Sequence, residues 1–504
     1  MGRRSELKAG VILSYLLLIV NMAYGLLIAP HILKYVGMSS YGVYKTIASL
    51  SASLAVLDLG LGSTMTRYMA KYNATDDRKG ASNFVAMMFI QFSIIAGLIL
   101  CVGAVLFFSI DSMYGETFTL AEKTLAKKLM VFLLVNMVLR LFENLLSGIA
   151  TGHERFTIAN GIKLASVVVK FSLIFVLLPL VKNVLLVVAM ETIVVLAAIV
   201  FFFIYIIKSI KIVPKLSKWD GKVFKESFGY TALMFIQTLT VQFNGNVDNI
   251  LIGSRISSAS VTVYSMSLTI FGMYENLSGS IANLMLPKIT KKVVGGESAE
   301  QLQSSVEKAG RLQFFLLAPA LLGFAVLGKE FYSLWLKEGF SDCYYLALIL
   351  IVPVTIPMIQ NVCLSVMRAQ NKMLYRTVTL AISCVINVVV TLIGIHFWGY
   401  WGAAIGTAAA TVSNILFMNI YYNRNLGFSV FRMFKNIIGK TIFCASGAAV
   451  VTYFVHKILN GSWVAFVLNA AIFMVVYLAM LVVLELSRNE RNTLLKKLHL
   501  KRVL

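Results

Sequence analysis

Long apolar stretches dominate this chain of 504 residues. A helix needs about 20 predominantly apolar residues to cross the hydrocarbon core of a bilayer, and about fourteen stretches meet that length. They cover residues 9–33, 42–66, 84–110, 128–151, 159–181, 183–207, 227–253, 259–287, 310–334, 344–367, 376–397, 401–423, 436–458 and 463–486. Only 13% of the residues are charged, against about 25% in soluble domains. The sequence therefore predicts an all-α polytopic membrane protein.

The formal net charge of +23 is distributed in a way that indicates membrane topology rather than nucleic-acid binding. Most Lys and Arg residues fall in alternate connections between the predicted spans. Such an alternation orients a chain in the bilayer, with the basic connections in the cytoplasm. We therefore expect both termini to be cytoplasmic, together with the basic connection after the sixth span.

The amino terminus has the charge pattern of a signal sequence, but we interpret it as a retained first helix. Its apolar run extends from Ala9 to about Leu33, which is too long for a signal-peptide core. The five cysteines are scattered and show neither a disulfide framework nor metal-ligand spacing.

The long basic connection divides the predicted spans into two groups of six, followed by two more. We expect an amino-terminal six-helix lobe, a basic linker, a second six-helix lobe, a carboxy-terminal helix pair and a basic tail, at 1–207, 208–226, 227–424, 425–486 and 487–504. A weak internal repeat supports two related lobes, because Pro30–Tyr44 resembles the segment from Asp248 to Tyr264 in its Ile-Leu and Ser-Ser pairs. Many transporters are built from such repeats.

Polar residues inside spans are the strongest functional signal, since ionisable groups there are costly and face a cavity or a partner. The fourth span carries five polar residues at offsets that place them on one helical face: Asn136, Arg140, Glu143, Asn144 and Ser147. The fifth span repeats the pattern with Lys163, Ser166 and Lys170. Arg140 and Lys170 are near the middle of their spans.

The role of each mid-span cation has alternatives. Arg140 lies three residues before Glu143, so the two side chains either neutralise each other or leave Arg140 to a ligand. Lys170 has no acidic residue within four positions. Its partner must come from another helix or from a ligand.

Further polar residues on other spans indicate a shared hydrated cavity. The seventh span has Gln237, Thr240, Asn244 and Asp248 on one face, and additional charged residues are Asp58, Arg67, Glu191 and Glu275. Asp58 precedes Leu-Gly-Leu-Gly and is either an ion site or part of a helix-breaking turn. Arg67 and Asp248 lie near span ends, where snorkelling or capping is the alternative to a substrate role.

Two other patterns concern helix shape and packing. Pro353 and Pro357 fall inside the tenth span and predict a kink. Gly402 and Gly406 form a Gly-x-x-x-Gly motif, which allows close approach of two helices, and we expect it to serve packing within the chain.

The sequence offers no candidate site for a cofactor or a metal. The five histidines are far apart and none lies at a span centre. No phosphate-binding Gly-x-x-x-x-Gly-Lys-Ser/Thr loop is present. We therefore expect no cofactor and no direct use of ATP by this chain.

Three segments carry a resemblance to a known family: Tyr35–Tyr44, Leu57–Ala70 and Asn246–Ser254. Together with the 6 + 6 + 2 arrangement, they resemble the polysaccharide transport family, the Wzx-type O-antigen and capsule flippases of the MATE-like (MOP) exporter superfamily. The resemblance implies two lobes around a V-shaped cavity. It also implies export of an oligosaccharide linked to undecaprenyl pyrophosphate across the bacterial inner membrane, with alternating access and ion coupling.

On that resemblance, the candidate substrate-binding residues are Arg140, Lys170, Asn136, Asn144, Gln237, Asn244 and Arg67. The candidates for coupling to a proton or sodium ion are Glu143, Glu191, Asp248, Glu275 and Asp58. The expected partners are the lipid-linked glycan, membrane lipids and a polysaccharide polymerase, around a monomeric transport unit and without nucleic acid.

Three alternatives remain. A lipid II flippase typically carries arginines in its first helix, but the first span here has no charge between Lys8 and Lys34. A multidrug exporter of cationic compounds needs a more acidic or aromatic cavity. A membrane-embedded polymerase or glycosyltransferase needs a large extramembrane loop, and the longest outer connection, about 111–127, is short.

Overall fold

The computed structural model describes residues 3–54, 61–217, 219, 221–336 and 339–485, and within these ranges every regular element is a helix. The first six helices are α1 (Arg3–Leu54), α2 (Leu61–Ala74), α3 (Arg78–Met113), α4 (Leu120–Gly152), α5 (Phe156–Val181) and α6 (Leu185–Tyr205), which ends in a π-helical turn at Ile206–Ile210. Residues 487–504, the predicted basic tail, lie outside the described part of the chain.

Nine further helices complete the described chain. They are α7 (Gly221–Arg255), α8 (Ser258–Val294), α9 (Ala299–Leu336), α10 (Ser341–Ile359), α11 (Asn361–Ala369), α12 (Leu374–Trp398), α13 (Tyr400–Asn425), α14 (Val430–Ile458) and α15 (Trp463–Met480), which ends in a π-helical turn at Leu481–Glu485.

Within the described residues, eleven helical segments are long and apolar enough to cross a membrane. One of them, Ala9–Leu54, contains the first predicted span and the start of the second. The spans predicted at 227–253 and 259–287 lie on α7 and α8, which have 35 and 37 residues. The all-α polytopic membrane fold predicted from the sequence is confirmed.

The second predicted span differs from its prediction. Residues 42–54 continue α1, residues 61–66 begin α2, and residues 55–60, including Asp58, lie outside the described residues. The connection predicted at 34–41 is helical as well, and the helix is interrupted at Gly37, where φ is 79° and ψ is 169°. Glycine adopts this conformation without the steric penalty of a side chain.

The tenth predicted span is also divided. The helix α10 ends at Ile359, two residues after Pro357, and α11 restarts at Asn361. A proline inside a helix removes one backbone hydrogen bond and its ring crowds the preceding turn. The predicted kink in this region is confirmed.

The chain divides into two compact units. The first unit comprises Met1–Ser265 and Thr391–Ala403, and the second comprises Met266–Val390 and Ala404–Leu504. The lobe boundaries that we placed at 208–226 and 425 from the sequence stay a prediction.

Small residues permit close helix packing in the first unit. A Cβ atom at Gly152 would lie 2.4 Å from Met69 Cβ, so α4 and α2 are in direct contact there. A Cβ atom at Gly402 would lie 2.0 Å from the carbonyl carbon of Gly394, which confirms that Gly402 serves packing within the chain, between α12 and α13.

The repeated Ser-Ser pairs noted in the sequence meet at one carboxylate in the first unit. Ser39 Oγ on α1 donates a 2.5 Å hydrogen bond to Glu122 Oε1, and Ser258 Oγ at the start of α8 donates to the same oxygen. The other oxygen of Glu122 closes the capping box of α4 by accepting from the Thr119 backbone N–H at 2.8 Å. The start of α4 is thereby fixed to α1 and α8.

The second unit is held together by buried polar contacts between helices. Glu307 on α9 accepts hydrogen bonds of 2.7 Å from both Gln303 and Asn436, the latter on α14. Tyr274 on α8 makes a 2.8 Å hydrogen bond with Thr355 on α10. Buried polar groups that are paired in this way avoid the cost of unmade hydrogen bonds.

Candidate functional site

A cavity of about 320 Å³ lies inside the first unit, among α1, α4, α5 and α6. Its lining combines charged and amide side chains with a few apolar ones: Leu17, Asn21, Arg140, Glu143, Asn144, Lys163, Ser166, Val167, Lys170, Glu191, Val194 and Val195. The polar faces predicted on the fourth and fifth spans therefore meet in one cavity.

Packing of the four helices fixes the walls of this cavity. Asn136 on α4 is buried and donates a 3.0 Å hydrogen bond to the Val188 carbonyl on α6. Asn160 on α5 donates to the Gly10 carbonyl and to Ser14 Oγ on α1, at 3.0 and 2.9 Å. These contacts hold α6 against α4 and α5 against α1.

Arg140 makes its main contact with Glu191 on the neighbouring α6. Its Nε and Nη2 atoms lie 3.0 and 2.5 Å from the same carboxylate oxygen, Glu191 Oε1. Charge-assisted hydrogen bonds of this kind are the strong ones in proteins. The Arg140 side chain is nevertheless 48% exposed, so it is accessible from the cavity.

Glu143 is the second carboxylate beside Arg140. Its Oε2 atom lies 3.9 Å from Arg140 Nη1, and its side chain is only 9% exposed. The sequence left two alternatives for Arg140, a local pair with Glu143 or a contact with a ligand. The structure shows a third arrangement, which the sequence did not indicate. The closest carboxylate to Arg140 comes from α6.

Lys170 also pairs with Glu191, through the other carboxylate oxygen. Its Nζ atom lies 3.9 Å from Glu191 Oε2 and 4.8 Å from the centre of the Tyr24 ring on α1. An ammonium group over an aromatic face is stabilised by a cation–π interaction. The sequence left the partner of Lys170 open between another helix and a ligand, and the structure places Glu191 of α6 beside it.

The charges of the lining leave an excess of positive charge. Arg140, Lys163 and Lys170 are cationic, whereas Glu143 and Glu191 are the two carboxylates. Charged groups on membrane-spanning helices are expensive unless they are paired or hydrated. The arrangement can bind an anion, because phosphate accepts hydrogen bonds from guanidinium and ammonium groups. Within the described residues no cluster of metal-ligating side chains occurs.

The structure places the other predicted site residues away from the cavity lining or leaves them undescribed. Asn136 is buried between α4 and α6, and Arg67 is exposed on α2. Asn244 and Asp248 lie on α7, and Glu275 lies on α8 in the second unit. Asp58 and the side chain of Gln237 lie outside the described residues.

Two residues near the cavity were missed by the sequence analysis. Asn21 lines the cavity and Tyr24 supports Lys170, both from α1. They are three positions apart and therefore share a helical face. An amide and a phenol at this spacing in an otherwise apolar span were the available signal.

A family model described as polysaccharide biosynthesis protein matches residues 7–292, more than half of the chain. The chain belongs to this family. The matched segment includes all the residues that line the cavity.

One curated relative is the probable low-salt glycan biosynthesis flippase Agl15 of Haloferax volcanii. It is 22% identical over 204 residues, which cover 40% of this chain and 43% of that protein. The chain thus matches less than half of the length of that relative.

Solved structures of a flippase and of a multidrug transporter share the fold. The lipid II flippase MurJ in an inward closed conformation superposes with a TM-score of 0.70 at 16% identity, over 94% of this chain and 97% of that one. An inward-facing multidrug resistance MATE family transporter of the MOP superfamily gives 0.62 at 15% identity, over 82% and 94%. At these identities the likeness is one of fold alone.

Proposed function

We propose that this protein is a flippase that moves an oligosaccharide linked to undecaprenyl pyrophosphate across the bacterial cytoplasmic membrane. The cargo is an O-antigen, capsule or exopolysaccharide repeat unit, and access to the site alternates between the two sides of the membrane. Family membership and the name of the Haloferax volcanii relative, a probable glycan biosynthesis flippase, support transport of a lipid-linked glycan.

The observation that carries the proposal is the convergence of Arg140 and Lys170 on one carboxylate in a cavity among membrane helices. A diphosphate is a strong anion, and two cations at one point can neutralise it away from bulk water. Asn21 and Asn144 add amide groups that can bind sugar hydroxyls. The lipid tail can remain in the bilayer.

Several parts of the proposal extend beyond the cavity. Both termini are cytoplasmic, the transport unit is a monomer, and a polysaccharide polymerase receives the product. Transport is coupled to a proton or sodium gradient. The protein is a transporter and not an enzyme, in line with its relatives, which are named as flippases or transporters.

The test is translocation of a fluorescent undecaprenyl-pyrophosphate oligosaccharide in proteoliposomes, with and without an imposed proton or sodium gradient. Wild type and Lys170→Ala are compared. The matched control is Lys127→Ala, which removes a lysine of the same helix bundle that pairs with Asp111 at 2.5 Å, outside the cavity lining.

We expect wild type and the control variant to flip the glycolipid. Lys170→Ala should flip it at least about tenfold more slowly, because the loss of one charge–charge contact of about 1.4 kcal/mol already gives that factor. Flipping that is equal in all three proteins would remove the cationic cavity from the mechanism. If no lipid-linked glycan is flipped but an organic cation is exported, the chain is a multidrug exporter. Preference for lipid II over the oligosaccharide carrier would assign it to peptidoglycan synthesis.

A further inference from the structure

Glu191 lies between Arg140 and Lys170, in the position that a bound diphosphate would have to take. Its Oε1 atom accepts from two nitrogens of Arg140, and its Oε2 atom faces Lys170. Both oxygens of the carboxylate are therefore engaged. A phosphate group cannot reach the nitrogens of Arg140 that point at Glu191 while this carboxylate stays in place.

We propose that the diphosphate and Glu191 compete for the same two cations, and that Glu191 takes up a proton as the diphosphate binds. This inference rests on the proposed function. In the empty site Glu191 neutralises Arg140 and Lys170. In the loaded site the phosphate oxygens replace it, and the displaced carboxyl group is neutral.

The charges of the cavity explain why a proton must enter. A diphosphate that joins a lipid to a sugar carries one negative charge on each phosphorus. With Glu191 protonated, those two charges and Glu143 balance Arg140, Lys163 and Lys170. With Glu191 ionised, the loaded site would have an excess negative charge in a low-dielectric environment, which is costly.

The surroundings of Glu191 support the same conclusion. The titratable or charged groups that act on it come from three helices: Arg140 and Glu143 on α4, Lys170 on α5, and Tyr24 and Tyr44 on α1. Arg140 and Lys170 are the cations among them that contact its oxygens. Lys163 on α5 also lines the cavity and acts on Glu143. Once a polyanion takes Arg140 and Lys170, the other groups that act on Glu191 are neutral or negative, and like charges disfavour its ionised form.

The inference also restricts the coupling mechanism. A proton that binds together with the cargo travels in the same direction as the cargo. By linkage, the proton and the diphosphate favour each other's binding at this site. A counterflowing proton or sodium ion therefore needs a carboxylate other than Glu191.

The experiment measures proton uptake when purified protein in detergent binds farnesyl-diphospho-N-acetylglucosamine in weakly buffered solution with a pH indicator. The control ligand is farnesyl N-acetylglucosaminide, which lacks the diphosphate. We expect about one proton per bound diphosphate ligand and none for the control ligand. At pH values where binding takes up one full proton, the Kd for the diphosphate ligand should fall about tenfold for each unit by which the pH is lowered.

Glu191→Gln tests the assignment to this residue, because glutamine imitates the protonated carboxyl group. We expect this variant to bind the diphosphate ligand with no proton uptake and with a Kd that is independent of pH. The control variant is Glu297→Gln, in the connection between α8 and α9, where Glu297 pairs with Lys292. We expect it to take up a proton on binding, as wild type does.

The outcomes separate this inference from the proposed function. Wild-type protein that binds the diphosphate ligand without taking up a proton would overturn the inference and leave the flippase proposal in place. Proton uptake that persists in Glu191→Gln would assign the proton to another group and overturn it as well. Equal affinity for the diphosphate ligand and the control ligand would contradict the proposed function itself.

Discussion

The hydroxyl of Tyr264 donates a 2.6 Å hydrogen bond to Oδ2 of Asp248, joining α8 to α7 inside the first unit. The carboxylate of Asp248 is buried, and Thr391 Oγ1 lies 3.5 Å from its other oxygen. Asp248 is one of the coupling candidates from the sequence. Its buried hydrogen bonds support a role in holding the α7–α8 hairpin together.

Tyr264→Phe should lower the stability of the protein without changing the cationic cavity. The variant removes the hydroxyl and leaves a buried carboxylate oxygen without this donor, at a cost of about 1–3 kcal/mol. The measurement is the thermal unfolding midpoint in detergent, with Tyr453→Phe on an exposed part of α14 as the control. Equal midpoints for Tyr264→Phe and wild type would show that the bond contributes nothing to stability.

Arg140→Lys should be impaired in flipping more than the retained charge suggests. Arginine places two nitrogens within 3.0 Å of Glu191 Oε1, whereas lysine is a shorter point charge without the planar fork. We expect a loss of about tenfold or more for Arg140→Lys and a larger loss for Arg140→Ala, measured in the proteoliposome assay. Membrane expression should be retained in both. Full activity of Arg140→Lys would mean that only the charge is required.

Gly42→Ala should destabilise the contact of α1 with the start of α8. A Cβ atom at Gly42 would lie 1.7 Å from the Ser258 carbonyl oxygen, so backbone atoms must move. Overpacking of this kind costs about 1–3 kcal/mol. Gly97→Ala in α3 is the matched control, because a Cβ atom there meets nothing within 4 Å and alanine favours a helix. The prediction fails if the two variants have the same thermal midpoint.

The basic connection after α6 should be accessible only from the cytoplasm. Cysteines replacing Lys211 and Lys215, both exposed, should react with a membrane-impermeant maleimide only after the cells are opened. A cysteine replacing the exposed Glu116, in the connection between α3 and α4, should react in intact cells. The background should lack the native cysteines, because Cys101 is exposed. The reverse labelling pattern would invert the topology.

The helices were predictable from the sequence because the length and apolarity of a membrane span are local properties. The prediction was wrong in detail at residues 34–41, where α1 continues through the expected connection with a break at Gly37. The kink predicted from Pro353 and Pro357 is present, since α10 stops after Pro357. A glycine and a proline permit these changes, but tertiary packing decides whether they occur.

The polar faces of α4 and α5 were predictable as well, since residues three, four and seven apart project from one side of a helix. The sequence indicated that Arg140 and Lys170 are costly to bury, and that Lys170 lacks a local acidic partner. It did not indicate that one carboxylate serves both cations. Glu191 is 51 positions from Arg140 and 21 from Lys170 in the sequence.

The sequence by itself determined that the chain is a polytopic helical membrane protein with cations in the middle of its spans, because hydrophobicity and helical periodicity depend only on residues that are close in sequence. The tertiary structure decided which groups meet: α6 brings Glu191 between Arg140 and Lys170, and α1 adds Tyr24 beneath the ammonium group. Pairing between helices depends on their rotation and on the packing that sets it. Those quantities follow from contacts across the whole unit rather than from any single segment.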